Sequence, residues 1–113
     1  MTKKQNEKVK KWVAALRSGK YVQTQHQLFD GRGYCCMGVL CKVLGYEFQK
    51  RCDAFVCLFY EKKLPLEVAQ RVGLRTCTGH FTYGELTAMN DSGVSFEQIA
   101  DLIESHPKGL FIE

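Results

Sequence analysis

Gly33-Tyr34-Cys35-Cys36-Met37-Gly38-Val39-Leu40-Cys41-Lys42-Val43-Leu44-Gly45 is the stretch on which the fold turns. From Cys35 to Leu44 only Lys42 is polar, so no face is left for solvent. Such a run reads as a buried central helix closed by Gly45, although periodicity alone leaves a buried strand open. Immediately upstream, Tyr21-Val22-Gln23-Thr24-Gln25-His26-Gln27-Leu28-Phe29 alternates and is rich in aromatic and β-branched residues, which predicts a strand. Asp30-Gly31-Arg32-Gly33 supplies a tight turn, with a short partner strand reaching Tyr34. Further upstream, Val9, Trp12, Val13 and Leu16 make the stripe of an amphipathic helix that Ser18-Gly19 stops.

Downstream, Phe55-Val56-Cys57-Leu58-Phe59-Tyr60 predicts a second core strand. Leu64-Pro65 opens a short helix closed by Gly73. Residues 75–84 read as a Thr- and Gly-rich connection, followed by a helix over Glu85–Asn90 that Asp91-Ser92-Gly93 ends. Ser95 and Gln98 form a capping box for the last helix, with Phe96, Ile99 and Ile103 as its stripe and His106-Pro107 as its stop. The predicted class is α+β: one compact domain over 1–113, a small antiparallel sheet packed on a buried central helix with about four peripheral helices.

The composition, 45% hydrophobic and 25% charged, is that of a globular chain and excludes a disordered one. No apolar run reaches the ~20 residues that span a bilayer. Lys3, Lys4, Lys8, Lys10 and Lys11 are not followed by the apolar core of a secretion signal, so a cytoplasmic location is expected. For the six cysteines, at 35, 36, 41, 52, 57 and 77, that compartment implies free thiols rather than disulfides. The net charge of +4 is uneven: residues 1–20 hold seven Lys or Arg against Glu7 alone, and the rest of the chain is slightly acidic. A basic first helix suits nucleic acid, a nucleotide or an acidic protein; the plainer reading is that its lysines merely solvate an exposed face.

Several motifs recur together: Trp12…Ala15-Leu16-Arg17-Ser18-Gly19-Lys20-Tyr21-x-Gln23, Gly33 to Cys41, Leu64-Pro65-x-Glu67-Val68, Leu86-Thr87-x-Met89-Asn90-Asp91-Ser92-Gly93 and Ile99 to Glu104. In combination they resemble a family of small bacteriophage-encoded proteins of unknown function. The resemblance leaves out residues 46–63 and 75–82, and it transfers no chemistry. It implies an accessory protein in the bacterial cytoplasm that counters a host defence without catalysis, by blocking a host protein or sequestering a nucleotide signal.

The residues themselves offer one binding surface: Arg17, Lys20, Gln23, Gln25, Arg32 and Tyr34, with Asn90 and Asp91 as a second polar cluster. On a strand, Gln23, Gln25 and Gln27 would share one face, opposite Thr24 and His26. Their amides suit base edges or peptide groups, the cations suit phosphate, and Tyr34 offers a stacking face. The plainer reading is a solvent-facing sheet, with Asn90-Asp91 capping a helix end. No cofactor is called for. A cysteine hydrolase would use Cys35 or Cys36, at a helix start, with His80 as base and Asn90 or Asp91 orienting it; the plainer reading is core thiols. Cys52, Cys57, Cys77 and His80 form a candidate zinc set against a default of unliganded thiols. A helix-turn-helix is excluded, because no basic recognition helix follows the acidic Ser95–Glu104 segment. Walker, paired-carboxylate and metalloprotease patterns are absent from the sequence. The tail Leu110-Phe111-Ile112 either mediates self-association or folds onto the core.

Overall fold

A computed structural model describes residues 1–112 and is α+β. Helix α1 spans Lys3–Arg17, and Thr2 caps it: its hydroxyl accepts the Gln5 amide N–H, and the Gln5 side chain accepts the Thr2 N–H in return. Its buried face is the expected Val9, Trp12, Val13 and Leu16, and Gly19 leaves the helix at φ +75°. The Cys35–Leu44 run is a helix. In α2 (Cys36–Val43), every residue from Cys36 to Cys41 is buried. Trp12 is fully buried, and its indole N–H donates to the Cys36 carbonyl at 2.9 Å, which fixes α1 against the first turn of α2.

The last helix, α5 (Phe96–Glu104), forms the predicted Ser95–Gln98 capping box and packs Phe96, Ile99, Ala100 and Ile103 against α1. Between lie α3 (Leu66–Arg71) and α4 (Leu86–Asp91). Pro65 stands at the N-cap of α3 rather than inside its first turn. The sheet is divided into two hairpins: β1 (Gln49–Arg51) with β2 (Ala54–Val56), and β3 (His80–Phe81) with β4 (Gly84–Glu85). The second hairpin lies inside what reads in sequence as an unstructured connection. Leu110 and Phe111 are buried, and Phe111 bridges to Leu74, so the tail folds onto the core.

Two predicted strands are corrected. Residues 21–29 form an irregular loop whose only ladder contacts are single bridges, Gln23 and Phe29 each to Tyr34. His26 sits at φ +70°, in the left-handed region, which ends the alternation on which the strand reading rests. The Asp30–Gly33 turn forms as expected. The Asp30 carboxylate accepts the N–H groups of Gly33 and Arg32 and the Thr24 hydroxyl, in that order of effect, and these bonds hold its pKa below the usual value. Phe55–Tyr60 is not a core strand either: β2 ends at Val56, and Leu58, Phe59 and Tyr60 are exposed.

Candidate functional site

The loop 21–29 is held by one side chain. Asn90, on α4, is the single fully buried polar residue among those described. Its Oδ1 accepts the Gln23 side-chain amide at 3.0 Å and the Cys36 backbone N–H at 3.1 Å. Its Nδ2 donates to the Thr24 carbonyl at 2.8 Å and to Asp91 at 3.3 Å. Gln23 also donates to the Val94 carbonyl at 2.7 Å. One amide thus satisfies a first-turn N–H of α2 that no helical carbonyl can reach and a loop carbonyl otherwise without a partner.

Next to the hub, Asp91 accepts the His26 backbone N–H at 2.8 Å, and its second oxygen lies 3.6 Å from His26 Nδ1. This carboxylate holds a strained residue whose side chain is 77% exposed. His26 and Asp91 border a cleft of about 450 Å3, shared with Gln27, Cys35, Lys62, Lys63, Thr78 and Thr87 among its walls. That volume is within the range of small-molecule sites. Two lysines bring positive charge to its edge, and the hydroxyl, amide and imidazole groups supply further hydrogen-bonding partners.

The floor thiol, Cys35, is the N-cap of α2, and its Sγ accepts the Gly38 N–H at 3.4 Å. Burial outweighs that bond and pushes the thiol up to about 11, so it is neutral at physiological pH. Cys36 is wholly buried, raised well above the ordinary thiol value for the same reason, and its thiol lies 3.8 Å from the Leu86 carbonyl.

The sequence-selected residues divide. Gln23, Asn90 and Asp91 come together, with Gln23 turned inward to the hub rather than out from a sheet face. Neither Asn90 nor Asp91 caps the end of its own helix; both reach across to the 23–26 loop. Arg17, the last residue of α1, is bound instead to Glu104 at 3.1 Å and Asp101 at 2.6 Å, both on α5, and these bonds raise its pKa. Tyr34 is half-buried in an aromatic cluster, stacked on Phe29 at 4.6 Å with Tyr21 edge-on at 5.4 Å. Lys20 and Arg32 are exposed and Gln25 half-buried. Arg32 borders a separate depression with Val22, Thr24 and Asp30.

Sequence reasoning misses His26, Lys62 and Lys63. The lysine pair just after an aromatic run is the one local signal that marks them. The histidine beside Cys35 is His26; His80 lies exposed on β3 and is not among the cleft residues. Among the described residues no three His, Cys, Asp or Glu side chains converge as a metal site requires, so Cys52, Cys57, Cys77 and His80 do not form a zinc tetrahedron. No helix among them is long and apolar enough to cross a membrane. A second depression of about 430 Å3 runs along α1 beside Asn6, Val9, Lys10 and Val13, but Arg17 and Glu104 there are already committed to each other.

No curated protein and no solved structure matches the chain. A family model described as a domain of unknown function (DUF8296) matches residues 4–107. The chain therefore belongs to that family, whose matched span includes the Asn90 hub and all the cleft residues named above.

Proposed function

We propose that the protein is a binding module whose cleft takes a small anionic ligand of the nucleotide type. The observation that carries this reading is the wall of Lys62, Lys63 and His26 over a floor whose thiol is neutral. Cations at the rim meet phosphate, while the Thr78 and Thr87 hydroxyls and the Gln27 amide can pair with sugar or base. Asp91 is the one carboxylate bordering the cleft, with its Oδ1 receiving two N–H groups and its Oδ2 facing His26, and the two lysines outnumber it. The Asn90 hub fixes the loop that carries His26 and Gln27, so little ordering is left to occur on binding. In the setting implied by the resemblance to bacteriophage proteins, such a module acts in the bacterial cytoplasm and removes a nucleotide signal on which a host defence depends. Blocking a host protein through the same face is the companion reading.

A cysteine-dependent hydrolase is the second reading, favoured by one observation: Cys35 shares the cleft with a histidine that a carboxylate holds. The histidine here is His26, not the His80 that the sequence offers as base. A thiol that keeps its proton until about pH 11 weighs against it.

Native mass spectrometry of the reduced protein, alone and after incubation with a bacterial small-molecule extract, tests the binding reading. An added mass of a few hundred daltons that Lys62→Glu/Lys63→Glu abolishes is the expected result. A bare mass in both conditions overturns it. Release of a product that Cys35→Ala stops would establish the hydrolase instead.

A further inference from the structure

We propose that the Leu58–Phe59 turn and its surrounding cations form a docking surface for single-stranded nucleic acid, with the Phe59 ring stacking on a base. Cys57 and Tyr60 exchange both backbone hydrogen bonds, at 2.8 and 2.9 Å, so Leu58 and Phe59 are the two central residues of a tight hairpin turn. Their φ values are +48° and +74°. Turns with two positive φ angles favour Asn-Gly, and a leucine and a phenylalanine there are backbone outliers. Burial does not compensate them: Phe59 is 79% exposed and Leu58 40%. Below the turn, Cys57 is fully buried, and the Leu28 N–H donates to the Glu61 carbonyl at 2.9 Å, so the tip is rigidly mounted. Neither core packing nor turn propensity explains an aromatic residue in this place, and its contact with the Arg51 guanidinium leaves most of the ring free for recognition.

The chemistry around the ring selects the partner. The Arg51 guanidinium lies over Phe59, 5.2 Å from its centroid, and Lys50, Lys62 and Lys63 are exposed nearby in the chain, so with Asp53 and Glu61 counted against them residues 50–63 keep a net positive charge. Protruding as a turn rather than lining a groove, the ring lacks the pocket that an apolar peptide would need. A splayed base stacks on the exposed ring while its phosphates meet Arg51 and the neighbouring lysines. The inference does not depend on the ligand of the cleft, although Lys62 and Lys63 border both.

Fluorescence anisotropy with labelled oligothymidylate tests it. Wild type is expected to bind with a log–log salt slope of about −2 to −3, as three or four cation contacts give. Phe59→Ala should weaken binding by roughly tenfold or more, with Phe59→Trp restoring it. The Leu58→Asn/Phe59→Gly variant should melt at a higher temperature than wild type while losing the oligonucleotide, because it relieves the turn and removes the platform. Absent binding by wild type, equal binding by Phe59→Ala, or a lowered melting temperature in the double variant would overturn the proposal. So would displacement by polyglutamate as effective as by unlabelled oligonucleotide, which would point to an acidic protein. Phe59→Ala and Lys50→Glu leave the cleft intact. Mononucleotide binding that survives them, without oligonucleotide binding by wild type, sinks this inference alone; the reverse pattern sinks the cleft reading alone.

Discussion

Replacing Asn90 by alanine removes a buried amide that makes three hydrogen bonds of 3.1 Å or shorter. Gln23 keeps its bond to the Val94 carbonyl, so its amide is not orphaned. The loss falls on the Cys36 N–H, which is buried at the start of α2, and on the Thr24 carbonyl. An unsatisfied buried polar group costs about 1–3 kcal/mol, and the small cavity adds to it. A total of about 3–4 kcal/mol is a large share of the ~5–15 kcal/mol that holds a domain folded. At roughly 4 °C per kcal/mol for a chain of this size, the melting temperature should fall by about 12–16 °C. Urea unfolding followed by circular dichroism gives the free energy directly, with Gln23→Ala and the double variant completing a cycle. Because the two side chains share a bond, the double variant should lose less than the sum of the singles. A loss below about 1 kcal/mol for Asn90→Ala would refute the hub, since the groups it serves would then find other partners.

Gly38→Ala should be among the most damaging single-methyl additions in the chain. Its Cβ would lie 1.9 Å from the Leu28 carbonyl oxygen, a backbone atom that cannot turn aside, so soluble yield and melting temperature should both drop sharply. Ser95→Ala removes one half of the α5 capping box and should cost about 1 kcal/mol by thermal unfolding, with no effect on ligand binding. Iodoacetamide should label the exposed Cys52 readily, and Cys35 slowly until the pH approaches 11. Since folding raises the Cys35 pKa from 9.0, the stability its neutral form contributes is complete below pH 9.0 and is lost as pH rises towards about 11, which urea midpoints across that window would register. Fast labelling of Cys35 at pH 7 would return the hydrolase reading to the front.

Local patterns carry much of the fold. The stripe and stop of α1, the all-apolar run of α2 and the capping box of α5 each act within a few residues, so sequence displays them. The 21–29 loop is different. Its alternation is genuine as a pattern, but its conformation is set by Asn90 and Asp91, more than 60 positions away in the chain. No local rule places the left-handed turn at Leu58-Phe59, because those residues are poor choices for it. The candidate site follows the same division. Gln23, Asn90 and Asp91 are legible as members of two polar clusters, whereas His26 is hidden by a strand reading that assigns it to the opposite face from Gln23. Lys62 and Lys63 look like ordinary surface charge until the fold sets them beside Cys35.

The proposed binding site is the cleft and not the basic face of α1. Amide chemical shifts of the labelled protein, recorded while titrating AMP, a cyclic dinucleotide and inorganic pyrophosphate in turn, would locate binding directly. At least one of these probes should move His26, Gln27, Cys35, Lys62, Lys63, Thr78 and Thr87 together, and Lys62→Glu/Lys63→Glu should remove the effect. Shifts confined to Lys3–Arg17, or none at these cleft residues with any of the three probes, would contradict the cleft as the site.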